Sequence, residues 1–151
     1  MAQLDPRLLR ELERVRWRYA DGDQTTLREL RRRIDAIGDA PEKFLTYTEL
    51  VDGLEFRLVN GGTPHRIGAW DELDRAIVGD FLGRLVVDSY REGGFFVSAL
   101  VVSREERTPG KGFYELAREI GALKSKDKLV ELEFWMKHVN LAREWYSSRS
   151  R

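Results

Sequence analysis

An apolar run in the second half of the chain constrains the fold more than any other feature. The run reads Phe95-Phe96-Val97-Ser98-Ala99-Leu100-Val101-Val102, with no charge and only one hydroxyl group. Val and Phe favour extended structure, and a strand without a polar face has to be covered on both sides. We therefore predict a buried strand at the centre of a sheet, with the segments before and after it packed around it.

Capping signals predict three helices in the first part of the chain. Asp5-Pro6 combines a capping side chain with a proline suited to the first helical turn, and the apolar stripe that follows predicts a helix reaching residues 20–23. Thr26–Glu29 has the spacing of a capping box, so it predicts a second helix that Gly38 closes. Thr46–Glu49 repeats the box and predicts a short third helix.

A hairpin and a long helix are predicted next. Apolar and charged residues alternate over 54–58, which is typical of a strand. Residues 60–62 predict a turn, and 64–67 a short edge strand that returns beside the first. Residues 69–91 then carry one apolar helical face, and Gly93-Gly94 ends that helix.

Two more helices are predicted after the apolar run. The first covers about residues 112–120 and stops at Gly121, and the second begins near Asp127. We expect the last helix to dock on the core through the apolar positions Leu129, Leu132, Trp135 or Met136, Val139 and Ala142.

Length and composition favour one soluble domain. The chain has 151 residues, of which 42% are hydrophobic, and this is enough for a single core. The predicted fold class is α+β, a helix-rich single domain with five to six helices around a small sheet of two to three strands. No stretch approaches the roughly 20 apolar residues of a membrane helix or forms an apolar signal core, so we expect a cytoplasmic protein without a membrane partner.

Arginine clusters are the main candidates for ligand binding. The 26 basic residues are balanced by 26 acidic ones, which argues against binding nucleic acid through a general positive field. Paired guanidinium groups nevertheless bind phosphates, and an aromatic ring beside them can stack on a base. The candidates are Arg14 and Arg18 beside Trp17 on one side of the first helix, and Arg28, Arg31 and Arg32 on one side of the second. The alternative is a solvated helix face neutralised by neighbouring carboxylates.

The segment Thr108-Pro109-Gly110-Lys111-Gly112 leads into a predicted helix. Free amides at a helix start together with a lysine can bind an anion, which makes Gly110, Lys111 and Gly112 a candidate anion site. No Ser or Thr follows the lysine, so the phosphate-loop motif is incomplete and lacks its magnesium ligand. A simple turn between strand and helix is the alternative.

Other chemistry has little support in the sequence. Cysteine is absent, which excludes thiolate metal sites and cysteine nucleophiles. His65 and His138 are the two histidines, and we expect surface or packing roles for both. The carboxylates of Asp71, Glu72 and Asp74 are explained by the start of a helix. We predict no catalytic residue, metal or cofactor.

Two resemblances follow from these motifs. The order helix, capped helix, short capped helix and hairpin resembles winged-helix modules over residues 1–67, and Thr46–Leu50 is similar to a helix opening in winged-helix domains of the alkyltransferase type. Pro64-His65-Arg66-Ile67 is similar to their Pro-Cys-His-Arg core, but the cysteine acceptor is absent, so the resemblance implies a shared local fold and not alkyl transfer. Residues 97–102, with Pro109–Ala117 and Gly121, resemble a segment of small uncharacterised bacterial proteins, which implies a bacterial origin and a defined domain and brings no known activity.

These observations predict one domain over residues 1–151, with a winged-helix-like part at 1–67, a helix-strand-helix-helix part at 68–147 and a frayed tail at 148–151. The predicted function is a non-enzymatic binding module, with nucleic acid as the favoured ligand of the arginine faces. One alternative is a protein-interaction or self-associating module that uses the aromatic-rich last helix. Another is an enzyme that acts on a phosphate-bearing substrate at loop 108–112.

Overall fold

The computed structural model describes residues 4–58 and 62–149. These residues form six α-helices and a small parallel sheet of two strands, so the predicted α+β, helix-rich class is confirmed. The helices are α1 (Pro6–Arg14), α2 (Gln24–Asp35), α3 (Tyr47–Val51), α4 (Glu72–Gly93), α5 (Lys111–Glu119) and α6 (Lys128–Arg149), and the strands are β1 (Leu45–Thr46) and β2 (Val101–Val102). None of these helices has the length and apolar character needed to cross a bilayer.

Helix α1 ends at Arg14, whereas the sequence predicted a helix that reaches residues 20–23. The carboxylate of Asp80, in α4, accepts hydrogen bonds from the backbone N–H groups of Arg18, Tyr19 and Ala20 at 2.8 to 3.0 Å. Amides that donate to this carboxylate do not donate to helical carbonyls. A contact from a distant helix therefore replaces the last turn that the apolar stripe predicted.

Side-chain caps begin the first three helices, although one lies earlier than predicted. Asp5 caps α1 as expected, and the Thr46–Glu49 capping box is complete in both directions. The predicted box at Thr26–Glu29 is wrong, because Asp23 caps α2 by accepting a hydrogen bond of 3.1 Å from the Thr26 N–H. The Glu29 carboxylate binds arginines of its own helix instead.

The predicted hairpin contains a single antiparallel bridge, in which Phe56 and His65 exchange backbone hydrogen bonds of 2.7 and 2.8 Å. Of the predicted turn at 60–62, only Gly62 lies within the described residues. Phe56 is fully buried and meets Phe81 of α4 edge-on, with ring centroids 5.0 Å apart. The alternation thus predicted the buried side chain correctly, but the winged-helix character is not confirmed.

The apolar run at 95–102 is buried as predicted, but most of it is not a strand. Val97–Leu100 forms a 3₁₀ turn, which contacts both α4 and α6. Only β2 is extended. It pairs in parallel with β1, which directly precedes α3. The prediction of a central strand is therefore wrong for the larger part of the run.

Side chains of the neighbouring helices satisfy the backbone of this 3₁₀ turn and its flanks. Ser89 Oγ accepts from the Val97 N–H at 3.0 Å, His138 Nδ1 accepts from the Phe96 N–H at 3.0 Å, and Trp135 Nε1 donates to the Ala99 carbonyl at 2.8 Å. A buried backbone needs partners for its polar groups, and these need not come from a sheet. The run is therefore buried between α4 and α6 without being part of a larger sheet.

Helix α6 includes Ser148 and Arg149, which we predicted as part of a frayed tail. The Ser148 hydroxyl donates to the Trp145 carbonyl at 2.8 Å, and the Arg149 guanidinium lies 4.2 Å from the centre of the Trp145 ring. A cation over an aromatic face is a stabilising contact, so the last turn has its own interactions. Residues 150–151 lie outside the described part of the chain.

Candidate functional site

Arg31 of α2 is bound to two carboxylates. Its side chain is 16% exposed, and it donates to Asp35 at 2.9 Å and to Glu92 of α4 at 2.8 Å. Burial opposes its charge, but the hydrogen bonds that it donates to Glu92 and Asp35 outweigh burial and raise the pKa of the guanidinium. The group also lies 5.7 Å from the centre of the Trp145 ring. Arg31 therefore ties α2 to α4 and α6.

Arg32 is exposed but also paired. It forms two hydrogen bonds of 2.8 and 2.6 Å with the Glu29 carboxylate, which Arg33 approaches at 2.9 Å. The hydrogen bonds from Arg32 and Arg33 lower the pKa of Glu29 to about 2. A phosphate that binds Arg32 has to compete with this carboxylate.

The remaining three arginines differ in their pairing. Arg14 lies 3.2 Å from Glu11, whereas Arg18 and Arg28 are exposed and form no ion pair within residues 4–58 and 62–149. Because α1 ends at Arg14, Arg18 does not share a helical face with it, and this part of the prediction is wrong. Arg18 is held over the Tyr19 ring, 5.3 Å from its centre.

Trp17, the predicted stacking aromatic, is half-buried. Its six-membered ring lies against α4 at Gly83, where an added Cβ would be 2.4 Å from a ring carbon. Only glycine allows this approach, so one face of the indole is covered by the helix. The ring therefore contributes to the packing of the segment after α1.

Residues Gly110, Lys111 and Gly112 lie at the start of α5, as predicted. The Gly110 N–H donates to Tyr47 Oη at 2.7 Å, and no side chain caps the helix. Beside them is an open depression of about 570 Å³, lined by Lys111, Glu115, Arg118, Glu119 and Lys126. Two of the five lining side chains are acidic, so the charge around the depression is mixed and does not single out an anion.

His65 and Asp74 form a pair that the sequence analysis did not predict. His65 Nε2 lies 2.6 Å from Asp74 Oδ1, and the other carboxylate oxygen accepts from the N–H groups of Gly68 and Trp70 at 3.1 and 2.9 Å. Burial acts to raise the pKa of Asp74, but these hydrogen bonds outweigh burial and lower it. A catalytic triad needs a nucleophile hydrogen-bonded to the histidine, and none is present among the described residues. The pair holds the loop before α4.

His138 has the packing role that we predicted for it. It is 4% exposed, and its ring centre lies 4.5 Å from that of Phe96 and 4.6 Å from that of Phe134. Burial, with a smaller effect of the Lys137 charge, lowers its pKa to about 3, so the imidazole is neutral at pH 7. Within residues 4–58 and 62–149, no three His, Asp or Glu side chains converge on a point that could hold a metal ion.

Helix α6 exposes apolar side chains that we predicted to face the core. Leu129 is 65% exposed, Leu132 41% and Met136 44%. At about 100° per residue these three positions fall on one stripe, which we call the α6 ridge. Trp135 and Val139 are buried on the adjoining side of the same helix, where Val139 continues the spacing of the ridge toward the core. The apolar side chains of α6 are visible in the sequence, but they span more of the helix than the core covers.

The comparisons add no relative to this picture, because no protein-family model, curated protein or solved structure matches the chain. The candidate surfaces are thus the two unpaired arginines, the depression beside α5 and the α6 ridge. Of these three surfaces, the α6 ridge is the one that exposes large apolar side chains, whose contact with water is unfavourable.

Proposed function

We propose that this chain is a protein-binding module whose α6 ridge seats an amphipathic helix of a different protein. The observation that carries the proposal is the concentration of exposed apolar side chains. Among the described residues, four of the five large hydrophobic side chains that are exposed lie within α6, namely Leu129, Val130, Leu132 and Met136. Single exposed apolar residues are ordinary, whereas several on one helix face, here Leu129, Leu132 and Met136, are typical of an interaction site.

The rest of α6 supports this proposal because it makes the ridge rigid. Trp135 is anchored to the Ala99 carbonyl at 2.8 Å, and Val139 and Ala142 are buried in the core. The ridge is therefore presented without rearrangement, and a preformed surface loses less conformational entropy on binding. Apolar side chains at positions i, i+3 and i+7 are the pattern by which one helix packs against another.

The test uses a labelled helical peptide with leucines at i, i+4 and i+7 and uncharged polar residues elsewhere. We expect micromolar binding by fluorescence anisotropy, with amide chemical-shift changes confined to the first half of α6. The double variant Leu129→Gln, Met136→Gln should weaken binding at least about tenfold, because two apolar contacts are lost. Leu73→Gln is the matched control, since Leu73 is 43% exposed but belongs to α4. Shifts elsewhere on the protein, or equal loss in the control, would overturn the proposal.

Nucleic-acid binding is a second candidate, and the exposed, unpaired side chains of Arg18 and Arg28 favour it. Binding through them should weaken steeply with added salt, because phosphate contacts release counterions. The variant Arg18→Ala, Arg28→Ala should then lose most affinity for a short duplex or single strand. Affinity that is absent at low salt, or unchanged in this variant, removes the candidate. A phosphate-directed enzyme at loop 108–112 has only Lys111 and the uncapped start of α5 in its favour.

A further inference from the structure

We infer that the helix bound by the α6 ridge carries acidic residues at the end that meets the beginning of α6. The inference rests on the proposed function and adds the chemistry of the partner. It is carried by the position of the lysine cluster Lys124, Lys126 and Lys128, which directly precedes the ridge in the chain. All three lysines are exposed, and none forms an ion pair within the described residues.

The two carboxylates nearest the lysine cluster along the chain, Asp127 and Glu131, already have partners. Asp127 Oδ1 accepts a hydrogen bond of 2.8 Å from the Leu129 N–H, which begins the helix. Glu131 lies 2.7 Å from Arg118 and is 15% exposed, so the two charges neutralise each other. Within the described residues no carboxylate forms an ion pair with these lysines, and three lysines against the single Asp127 leave the cluster with a net positive charge.

The other charges near the ridge limit the acidic residues to one end of the partner. Glu115 and Glu119 belong to α5 and line the depression together with Lys126. Farther along α6, Glu133 and Lys137 are both exposed and of opposite sign. An acidic residue of the partner next to Glu133 and Lys137 meets one charge of each sign and gains no net attraction. An acidic residue next to the lysine cluster is attracted to its three cations.

A second copy of the chain fits this surface less well. An antiparallel pairing that sets Leu129 of one copy against Met136 of the other also sets Lys128 against Lys137. A parallel pairing sets the lysine cluster against its own counterpart. Like charges opposite one another disfavour both arrangements, so charge complementarity points to a different, acidic partner.

The experiment compares three peptides that share the leucine positions and differ in one terminal turn, which contains three Glu, three Gln or three Lys. At low salt we expect the Glu peptide to bind about tenfold more tightly than the Gln peptide, and the Lys peptide more weakly than both. The advantage should shrink at about 0.5 M salt because surface charges are screened. The variant Lys124→Glu, Lys126→Glu, Lys128→Glu should reverse the order. A charge-matched control of three other exposed arginines, Arg7→Glu, Arg10→Glu, Arg16→Glu, should preserve it.

The possible outcomes separate this inference from the proposed function. If all three peptides bind equally at the ridge, the acidic partner is wrong and the protein-binding function stands. If none binds, both fail. If sedimentation of the protein alone shows a dimer that the Leu129→Gln, Met136→Gln variant dissociates, the ridge is covered by a second copy and the inference is overturned. Glu-peptide preference that the lysine variant reverses supports it.

Discussion

His138 contributes to the pH dependence of the stability of this fold, and His138→Asn should remove that contribution. In the folded protein burial lowers the pKa of the imidazole to about 3, from an ordinary value of 6.5. The unfolded chain therefore binds the proton more readily at any pH between these values. The contribution of the neutral histidine to stability is fully present above pH 6.5 and is lost as the pH falls toward 3.

The size of the effect follows from the two pKa values. At about pH 5 His138 is almost unprotonated in the folded state, so the pKa in the unfolded chain determines how much stability is lost. The free energy of unfolding falls by about 2 kcal/mol. At about pH 4 the loss grows to about 3 kcal/mol by the same relation. Asn places its amide oxygen near the position of Nδ1, so the variant can still accept the hydrogen bond from Phe96 but has no proton to gain.

The assay is urea unfolding followed by tryptophan fluorescence, from about pH 7.5 down to about pH 5, on both proteins. The variant should be less stable at about pH 7.5, because the ring contacts with Phe96 and Phe134 are lost. Its free energy of unfolding should nevertheless fall by about 2 kcal/mol less than that of the original chain over this range. Every other group is common to both proteins and cancels in the difference. Equal pH slopes would refute the reasoning.

Two further predictions concern close packing and backbone pairing. Gly38→Ala should lower the free energy of unfolding by about 1–3 kcal/mol, because the new Cβ would lie 2.4 Å from the base of the Tyr146 ring. The control Gly112→Ala, whose Cβ meets no atom within 4 Å, should be neutral or stabilising. Equal effects of the two substitutions in urea unfolding would contradict the argument. Asp80→Ala should lower the free energy of unfolding by about 1–3 kcal/mol and speed hydrogen exchange of the three amides that the carboxylate binds. Unchanged exchange of those amides would show that the contact is not needed.

Local signals predicted the parts of the fold that depend on neighbouring residues. The Asp5 cap and the Thr46–Glu49 box form as expected, and α4 ends at Gly94, whose φ of 72° is the left-handed conformation that glycine adopts easily. Each of these features involves groups within a few positions of one another. A short stretch of sequence contains all the information that they need.

Distant contacts explain the elements that were predicted wrongly. The α1 boundary depends on Asp80, about 60 residues away, and the conformation of the apolar run depends on Ser89 and His138. Strand propensity is weak compared with the requirement that every buried amide find a partner. Where helices supply those partners, a run of strand-forming residues does not need a sheet.

The candidate site shows the same division. The sequence identified the arginines, the loop at 110–112 and the last helix as the places where binding could occur. Whether a guanidinium is available is a tertiary property, since Arg31 is engaged by Glu92 whereas Arg28 is not paired. The same holds for α6, because Leu132 and Val139 lie on adjoining parts of one apolar surface and only the packing of the core decides that Val139 is buried and Leu132 exposed.

The sequence by itself determined that this chain forms capped, amphipathic helices and buries its central apolar run, because side-chain chemistry and spacing act over a few residues. The tertiary structure alone decided that Arg31 also binds Glu92, how the central run bends and which side of α6 faces solvent. Those outcomes depend on residues far apart in the chain that meet only when the core closes.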